Sequence, residues 1–441
     1  MNTSEISFLY SKPKWVELGL LGLLLVLLAG TARAELRIEI TQGAAQTIPI
    51  AVVPYGGDSA GADAIHAVIG ADLGRSGQFR LVPDDQMVSR PTEATQVDFR
   101  DWQLVMAQYV TIGRVLPGLD GKADVEFELF NVATGQRMTG ARFAGVAPAN
   151  RRRLAHHIAD LIYEAITGVR GVFSTRVTYV TQVGNNYELQ VADADGHNPV
   201  TVLRTQEPVL SPAWSADGRF VAYATYSNRR AAIFRQDVST GVRQLVSSFP
   251  GLNGAPAFSP DGHRIAMVLS KDGNPDIYVM DLAGGPPRRL SQHYAIDTEP
   301  TWSPDGRYIY FTSDRSGGPQ IYRVPSTGGA EMRVTFEGNY NTRARVSPDG
   351  RKLAMVHGAA GRGYRIAVQD IASRRLDVLT DGPLDESPSF APNGQIIIYT
   401  TKSGGAEALA TVSVDGNVRQ RLGISQAKVR EPGWSPFGSA P

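Results

Sequence analysis

Trp302-Ser-Pro-Asp-Gly306 decides the fold, because it is one of six copies of the same string. The others are Trp214-Ser-Ala-Asp-Gly218, Phe258-Ser-Pro-Asp-Gly262, Val346-Ser-Pro-Asp-Gly350, Phe390-Ala-Pro-Asn-Gly394 and Trp434-Ser-Pro-Phe-Gly438, and every interval is 44 residues. A period in the forties with several strands per unit is the signature of a propeller. Ser or Ala followed by Pro, Asp or Asn, and Gly suits a tight turn, since Pro presets φ at the second position and Gly relieves the exit. The unit continues with apolar runs such as Tyr308-Ile-Tyr-Phe-Thr312 and Ile321-Tyr-Arg-Val324, a hairpin at Gly328-Gly329, and Arg333-Val-Thr335, which makes four strands. The large apolar residue opening most copies is expected to wedge between neighbouring blades.

The last copy lies too near the C-terminus to be followed by three strands, whereas 175–181, 187–192 and 200–203 offer three strands with no motif before them. The sixth blade is therefore expected to be built from both ends of the domain, leaving no open sheet edge. Upstream, residues 35–168 carry no repeat and predict an α/β domain. Strands are expected at 36–41, 48–54, 109–115, 124–131 and 137–144, and helices near 62–76 and 149–166, the last ended by Gly168. The expected fold is thus an α/β N-terminal domain followed by an all-β six-bladed β-propeller over 171–441.

Residues 1–34 predict a signal peptide: Lys12 and Lys14 precede an apolar run from Leu18 to Gly30, followed by Ala32-Arg33-Ala34. The run is too short to span a bilayer of about 30 Å, so cleavage between Ala34 and Glu35 is expected to release an exported, non-spanning protein. The whole chain has 44 Lys and Arg against 43 Asp and Glu, which provides no field for nucleic acid or an anionic surface. It has no cysteine, so disulfides, thiolate metal sites and thiol nucleophiles are excluded.

Few motifs suggest chemistry. Gly57-Asp-Ser59-Ala-Gly61 matches a nucleophile elbow between a strand and a helix, and a propeller-gated hydrolase using Ser59 is one alternative function. A small domain with His66 and His156-His157 as its histidines offers no evident triad, and a flexible loop explains the string more simply. His156-His157 point about 100° apart on a helix and read as a surface pair. Arg151-Arg152-Arg153 reads as a solvated face. Asp193-Ala-Asp195-Gly196 lacks the later acid of a calcium loop and reads as a hairpin turn. No catalytic, metal or cofactor residue is expected.

The informative rows stand just before each motif. Pro occurs two residues upstream of the opening residue in five copies, at Pro212, Pro256, Pro300, Pro388 and Pro432. Three upstream stand Ser211, Ala255, Glu299, Arg343, Ser387 and Glu431; four upstream, Thr298, Thr342, Glu386 and Arg430; five upstream, Asn253, Asp297, Asn341 and Asp385. Equal offsets in equal repeats place these rows on one face around the channel mouth, a polar ring suited to docking a peptide or protein. A calcium- or carbohydrate-binding mouth is a further alternative.

Four stretches, Asn253-Gly-Ala-Pro-Ala-Phe-Ser-Pro-Asp-Gly262, Thr298-Glu-Pro-Thr-Trp302, Glu35-Leu-Arg-Ile-Glu-Ile40 and Ile48-Pro-Ile-Ala-Val-Val-Pro54, closely resemble the TolB family of the Tol–Pal envelope system. The resemblance covers the whole chain after residue 34. It implies a non-catalytic, monomeric periplasmic adaptor that supports outer-membrane integrity and constriction at division. It also implies that the mouth binds the lipoprotein Pal, with Ala255, Thr298 and Glu299 carried over by position, and that further envelope proteins dock. Leu252 stands where the family commonly has His, so that imidazole's hydrogen bond is absent. The mature N-terminus would bind TolA through Glu35, Leu36, Arg37, Ile38, Glu39 and Ile40, within a mobile segment 35–46 whose Thr41–Gln46 part departs from the family pattern. No cofactor is implied.

Overall fold

The computed structural model describes residues 38–39, 47–59, 61–358, 361, 363–403, 406–422 and 428–438. The leader, its cleavage site and most of segment 35–46 lie outside the described residues. Each repeat folds as an antiparallel four-stranded blade. Blade 1 comprises Leu210–Trp214, Phe220–Ser227, Arg230–Asp237 and Arg243–Ser247. Blade 2 comprises Asn253–Phe258, Arg264–Leu269, Asp276–Asp281 and Arg288–Arg289, and blade 3 comprises Asp297–Trp302, Tyr308–Ser313, Gln320–Pro325 and Met332–Arg333. Blade 4 is Tyr340–Val346, Lys352–Gly358, Tyr364–Asp370 and Leu376–Val378; blade 5 is Asp385–Phe390, Ile396–Ser403, Ala406–Ser413 and Arg419–Arg421.

Blade 6 closes the ring from both ends. Val429–Trp434 is its inner strand and pairs with Arg176–Val183, with Trp434 opposite Val177; Asn186–Asp193 and Val200–Thr205 complete it. The second and third strands of each blade are buried along their central residues, as expected for strands covered on both faces. Their side chains form the layers between blades, for example Ile265, Met267 and Leu269 against Ala222 and Ile233. The repeat tryptophans are wedges: the Trp214 indole donates to the Gly433 carbonyl of the preceding blade (3.1 Å), and that of Trp302 donates to the Ala257 carbonyl (3.0 Å). The turns behave as their composition predicts. In Ser259–Gly262 the Gly262 N–H donates to the Ser259 carbonyl (2.9 Å), Gly262 has φ +72°, and the Ser259 hydroxyl donates to Asp261 (2.5 Å).

The N-terminal domain has a five-stranded mixed sheet in the order Phe79–Leu81, Ile48–Val52, Tyr109–Pro117, Ala123–Asn131, Arg137–Val146. Helices α1 (Ile65–Arg75) and α3 (Arg151–Thr167) share one core with it, burying Ile69, Leu73, Phe127, Leu129, Ile158 and Ile162. Each such side chain contributes about 1.5–3 kcal/mol on burial. The opposite face is covered by α2 (Phe99–Leu104), anchored by the fully buried Trp102. The sequence did not signal α2, because its six residues are too few to establish a period.

The expected first strand, 36–41, is corrected. Ile38–Glu39 does not join the α/β sheet; it adds antiparallel to the outermost strand of blade 5, with Ile38 opposite Gln420 and Glu39 opposite Arg419. The short outer strand of blade 5 has an unpaired edge whose backbone groups Ile38–Glu39 satisfies, whereas Ile48–Val52, the next strand along the chain, is already paired on both sides.

Candidate functional site: the propeller mouth and the domain joint

Every inner strand carries the same irregularity, a register shift between the residue four before the opening residue and the residue one before it. Inside each shift lies a residue with left-handed φ: Ser211 (+51°), Ala255 (+45°), Glu299 (+55°), Arg343 (+55°), Ser387 (+57°) and Glu431 (+54°). For non-glycine residues this conformation costs about 1–2 kcal/mol each, so the blades hold it against a local preference. A bulge re-aims a side chain and frees a ladder N–H, and both effects appear at the mouth. The Pro that follows five of the six residues belongs to the bulge, where its missing donor is harmless.

The freed groups join blade to blade. Glu299 Oε2 accepts the backbone N–H of Arg343 (3.0 Å) and the Thr312 hydroxyl (3.1 Å), while its Oε1 lies 2.9 Å from Arg343 Nε. Arg343 also donates to the Ser387 hydroxyl (2.6 Å) and lies 3.7 Å from Glu431 Oε1. Glu431 in turn accepts the backbone N–H of Ser211, and its own N–H donates to Thr400 (3.2 Å). One guanidinium thus ties together blades 3, 4, 5 and 6. Burial works to lower the Arg343 pKa, but Glu299, Glu431 and Glu386 outweigh it and hold the cation charged. Arg345, two residues along, faces burial with Arg343 beside it, and its pKa is pushed down.

The structure separates the rows expected on one face. Asn253, Asp297, Asn341 and Asp385 are fully buried; Asp297 and Asp385 brace their own blades, whereas Asn253 and Asn341 each tie their blade to the preceding one. Asn253 accepts from Ser247 (2.6 Å) and the Phe249 N–H (3.0 Å); Asp297 takes two bonds from Arg315 (2.9 and 2.8 Å). Asn341 donates to Gln320 (2.9 Å), and Asp385 accepts from Thr401 (2.6 Å). Thr298, Glu299, Arg343, Glu386, Arg430, Glu431 and Ala255 remain partly accessible at the mouth. Arg430 is paired with Glu407 (3.0 Å).

A second cluster lies where the α/β domain meets the propeller, and sequence reasoning missed it. His156 is buried, not on the surface: its Nδ1 is 2.6 Å from Asp72 Oδ2 and its Nε2 is 3.8 Å from Asp195 Oδ2. Arg152, expected on a solvated face, is mostly buried and bridges Asp63 (2.9 Å) and Asp195 (2.6 Å). Arg75 pairs with Asp72 and reaches Asp195 at 3.4 Å. Asp195 sits in a hairpin turn as expected, yet its carboxylate is buried among these cations. Burial alone would raise its pKa, but His197, Arg75 and His156 hold it well below the usual carboxylate range. Asp72, His156 and Asp195 could in principle face a metal ion. The two guanidiniums already on these carboxylates repel a cation and make the cluster a structural joint. The Gln420 amide donates to the Arg75 carbonyl, so the blade 5 strand that pairs with Ile38–Glu39 also touches α1.

Ser59 is exposed, and its N–H is held by Asp58 (2.8 Å), whose other oxygen accepts the Ile65 N–H (2.7 Å) at the start of α1. Its hydroxyl has no histidine or carboxylate partner among the described residues. Asp58 therefore acts as a cap for the N-terminus of α1.

Fold and site together define a two-domain propeller protein whose distinctive chemistry is a cross-linked polar mouth. The TolB beta propeller domain model matches residues 163–438, and the TolB amino-terminal domain model matches 36–138. The Tol-Pal system protein TolB of Nitrosococcus oceani is 57% identical over 426 residues, 95% of this chain and 98% of that protein. That of Xanthomonas oryzae pv. oryzae (strain PXO99A) is 52% identical over 428 residues, 95% of this chain and 97% of that one. The crystal structure of TolB from Acinetobacter baumannii superposes with a TM-score of 0.84 at 40% identity, covering 91% of this chain and all of that one. The chain belongs to the TolB family and is a component of the Tol–Pal system. No helix among the described residues is long and apolar enough to cross a membrane.

Proposed function

We propose that this chain is a non-catalytic periplasmic adaptor that binds the lipoprotein Pal at the propeller mouth and TolA through its N-terminal segment, supporting outer-membrane integrity and constriction. The observation that carries this reading is the ring of six left-handed residues: strain of this kind persists where a surface is presented for recognition. Ala255, Thr298, Glu299, Glu386 and Glu431 are the contact residues proposed for Pal, with Arg343 and Arg430 setting the charge. Asn253, Asp297, Asn341 and Asp385 support the site from within the blades.

Blade 5 gives the two sites a common element. Its inner strand holds Ser387, gripped by Arg343, and its outer strand pairs with Ile38–Glu39. A partner that binds better in one arrangement of blade 5 biases the N-terminal strand, and linkage makes the effect reciprocal. Isothermal titration of the mature protein with the soluble domain of Pal tests the reading. Binding is expected for wild type, with at least tenfold weakening in Glu299→Lys. Wild-type protein that fails to bind overturns it.

A further inference from the structure

The row six residues before each motif opening is a different surface from the polar ring. Across blades 2 to 5 it reads Leu252, Ile296, Tyr340 and Leu384, whereas blades 1 and 6 have Pro208 and Lys428. These residues lead into the inner strands, so they sit at the mouth end of the propeller, just outside the ring. Leu252 is 43% exposed and Ile296 is 51% exposed. Tyr340 is half-buried and packs against Tyr364 with ring centroids 4.6 Å apart and planes tilted by 45°, and Tyr364 bridges to Leu384 through the backbone.

One further aromatic stands out from this row. Tyr294 is 86% exposed, four residues before Thr298 and so within about 14 Å of it along the chain. Its loop is built, not slack. The Asn274 amide donates to the His293 carbonyl (2.9 Å) and the Ala295 carbonyl (2.6 Å), the Ala295 N–H donates to His293 Nδ1 (3.1 Å), and the Ile296 N–H donates to Asp314 (2.9 Å). His293 packs its ring against Tyr294 at 4.2 Å. A large aromatic held out on a braced loop loses little entropy when it binds, which is how interface anchors behave.

We infer that Tyr294, Ile296 and Leu252 form an apolar crescent that anchors the partner off the propeller axis, over blades 2 and 3. The inference rests on the proposed mouth-binding function and adds where the partner sits and what chemistry it presents. The partner is a protein with an apolar patch bordered by hydrogen-bond donors. The donors face Glu299, Glu386 and Glu431, of which the first and last share one arginine, so the rim stays acidic. That charge opposes an anionic lipid surface.

The test is calorimetric titration of the full mature chain with the soluble domain of Pal. Leu252→Asp, Tyr294→Ala and Ile296→Asp each change an exposed side chain, and their melting temperatures are measured alongside to confirm the fold. Each is expected to weaken binding at least tenfold. Val183→Asp, 57% exposed on the hairpin of blade 6, is expected to stay within twofold of wild type. Crescent variants within twofold of wild type, while Glu299→Lys loses binding, overturn the crescent and leave the mouth reading intact. Wild-type protein that does not bind overturns both. Equal losses in Val183→Asp and the crescent variants overturn the off-axis placement.

Discussion

Arg343 and Glu299 grip each other twice across the boundary between blades 3 and 4, once through side chains (Nε to Oε1, 2.9 Å) and once through the Arg343 backbone N–H to Oε2 (3.0 Å). The second bond exists only because the bulge turns that N–H out of its own ladder. Removing Arg343 leaves two partly buried carboxylates short of a cation, and removing the Glu299 charge leaves the guanidinium short of an anion, while the Arg343 N–H keeps the Thr312 hydroxyl (3.2 Å) as an acceptor. Arg343→Met and Glu299→Gln are each expected to cost about 1–3 kcal/mol. The double variant should lose less than the two singles combined by about 0.5 kcal/mol or more. Denaturant unfolding of all four proteins measures this, and strictly additive losses would refute the coupling.

Ala255 offers a test of the bulge strain, because its φ of +45° is one that glycine adopts freely. Ala255→Gly is expected to be neutral or stabilising by up to about 1 kcal/mol, where the same change inside an ordinary strand costs about 0.5–1 kcal/mol. Ala257→Gly, two residues along the same strand, provides that ordinary case. Equal destabilisation of the two variants counts against a strained ring.

The propeller was legible because a 44-residue period repeats every turn, wedge and inner strand in register, and the split blade followed from counting strands at the two ends. The ring was legible only in part. An equal offset says that residues are equivalent, but the bulge changes which way each points, and so Asp297 went inward while Glu299 stayed at the mouth. Pro at a fixed offset was the available signal for the bulge. The joint left no trace in the sequence, because Asp72, His156 and Asp195 come from two helices and a propeller hairpin with no shared period.

Closure of blade 6 should be indispensable. Val429–Trp434 is its inner strand, and the Trp434 indole donates to Thr175 (2.8 Å) on the other terminus of the propeller. Deleting residues 430–441 removes this strand, bares the edge of Arg176–Val183 and uncovers the apolar faces the strand packs between. Global loss of cooperative melting is expected by calorimetry. A truncated protein that melts within a few degrees of wild type would show that the ring does not depend on this closure.

The joint should make stability depend on pH. Burial lowers the His156 pKa, but Asp72, its hydrogen bond and Asp195 outweigh it and the net shift is upward. A raised folded value means that the stabilisation is fully present below about 6.5 and is lost as pH climbs through the folded value. Burial also pushes Asp160 up to about 6 against bonds from Ser174 and the Phe173 N–H, so its ionisation makes stability fall between about 3.9 and 6 and no further. Asp195 is shifted downward and acts in the opposite sense, its contribution being lost only as pH falls below the usual carboxylate range. Unfolding free energies above pH 6.5 should therefore decline in wild type and flatten in His156→Gln. An unchanged slope in that variant would remove His156 from the account.

The N-terminal strand provides the last test, because Ile38–Glu39 pairs with the same blade 5 strand whose Gln420 reaches α1 through the Arg75 carbonyl. Two backbone-paired residues form a weak attachment, since an isolated edge pair of this length contributes little without a packed face. The segment can therefore exchange between blade 5 and a partner strand at small cost, as β-augmentation requires. Deleting residues 35–46 is expected to abolish TolA binding while Pal binding survives. In the intact chain, saturating Pal should change TolA affinity by some factor, and saturating TolA should change Pal affinity by the same factor. Titrations in both orders measure the two factors. A deletion variant that still captures TolA at wild-type strength, or a factor of one in both orders, would dissociate the N-terminal strand from the mouth.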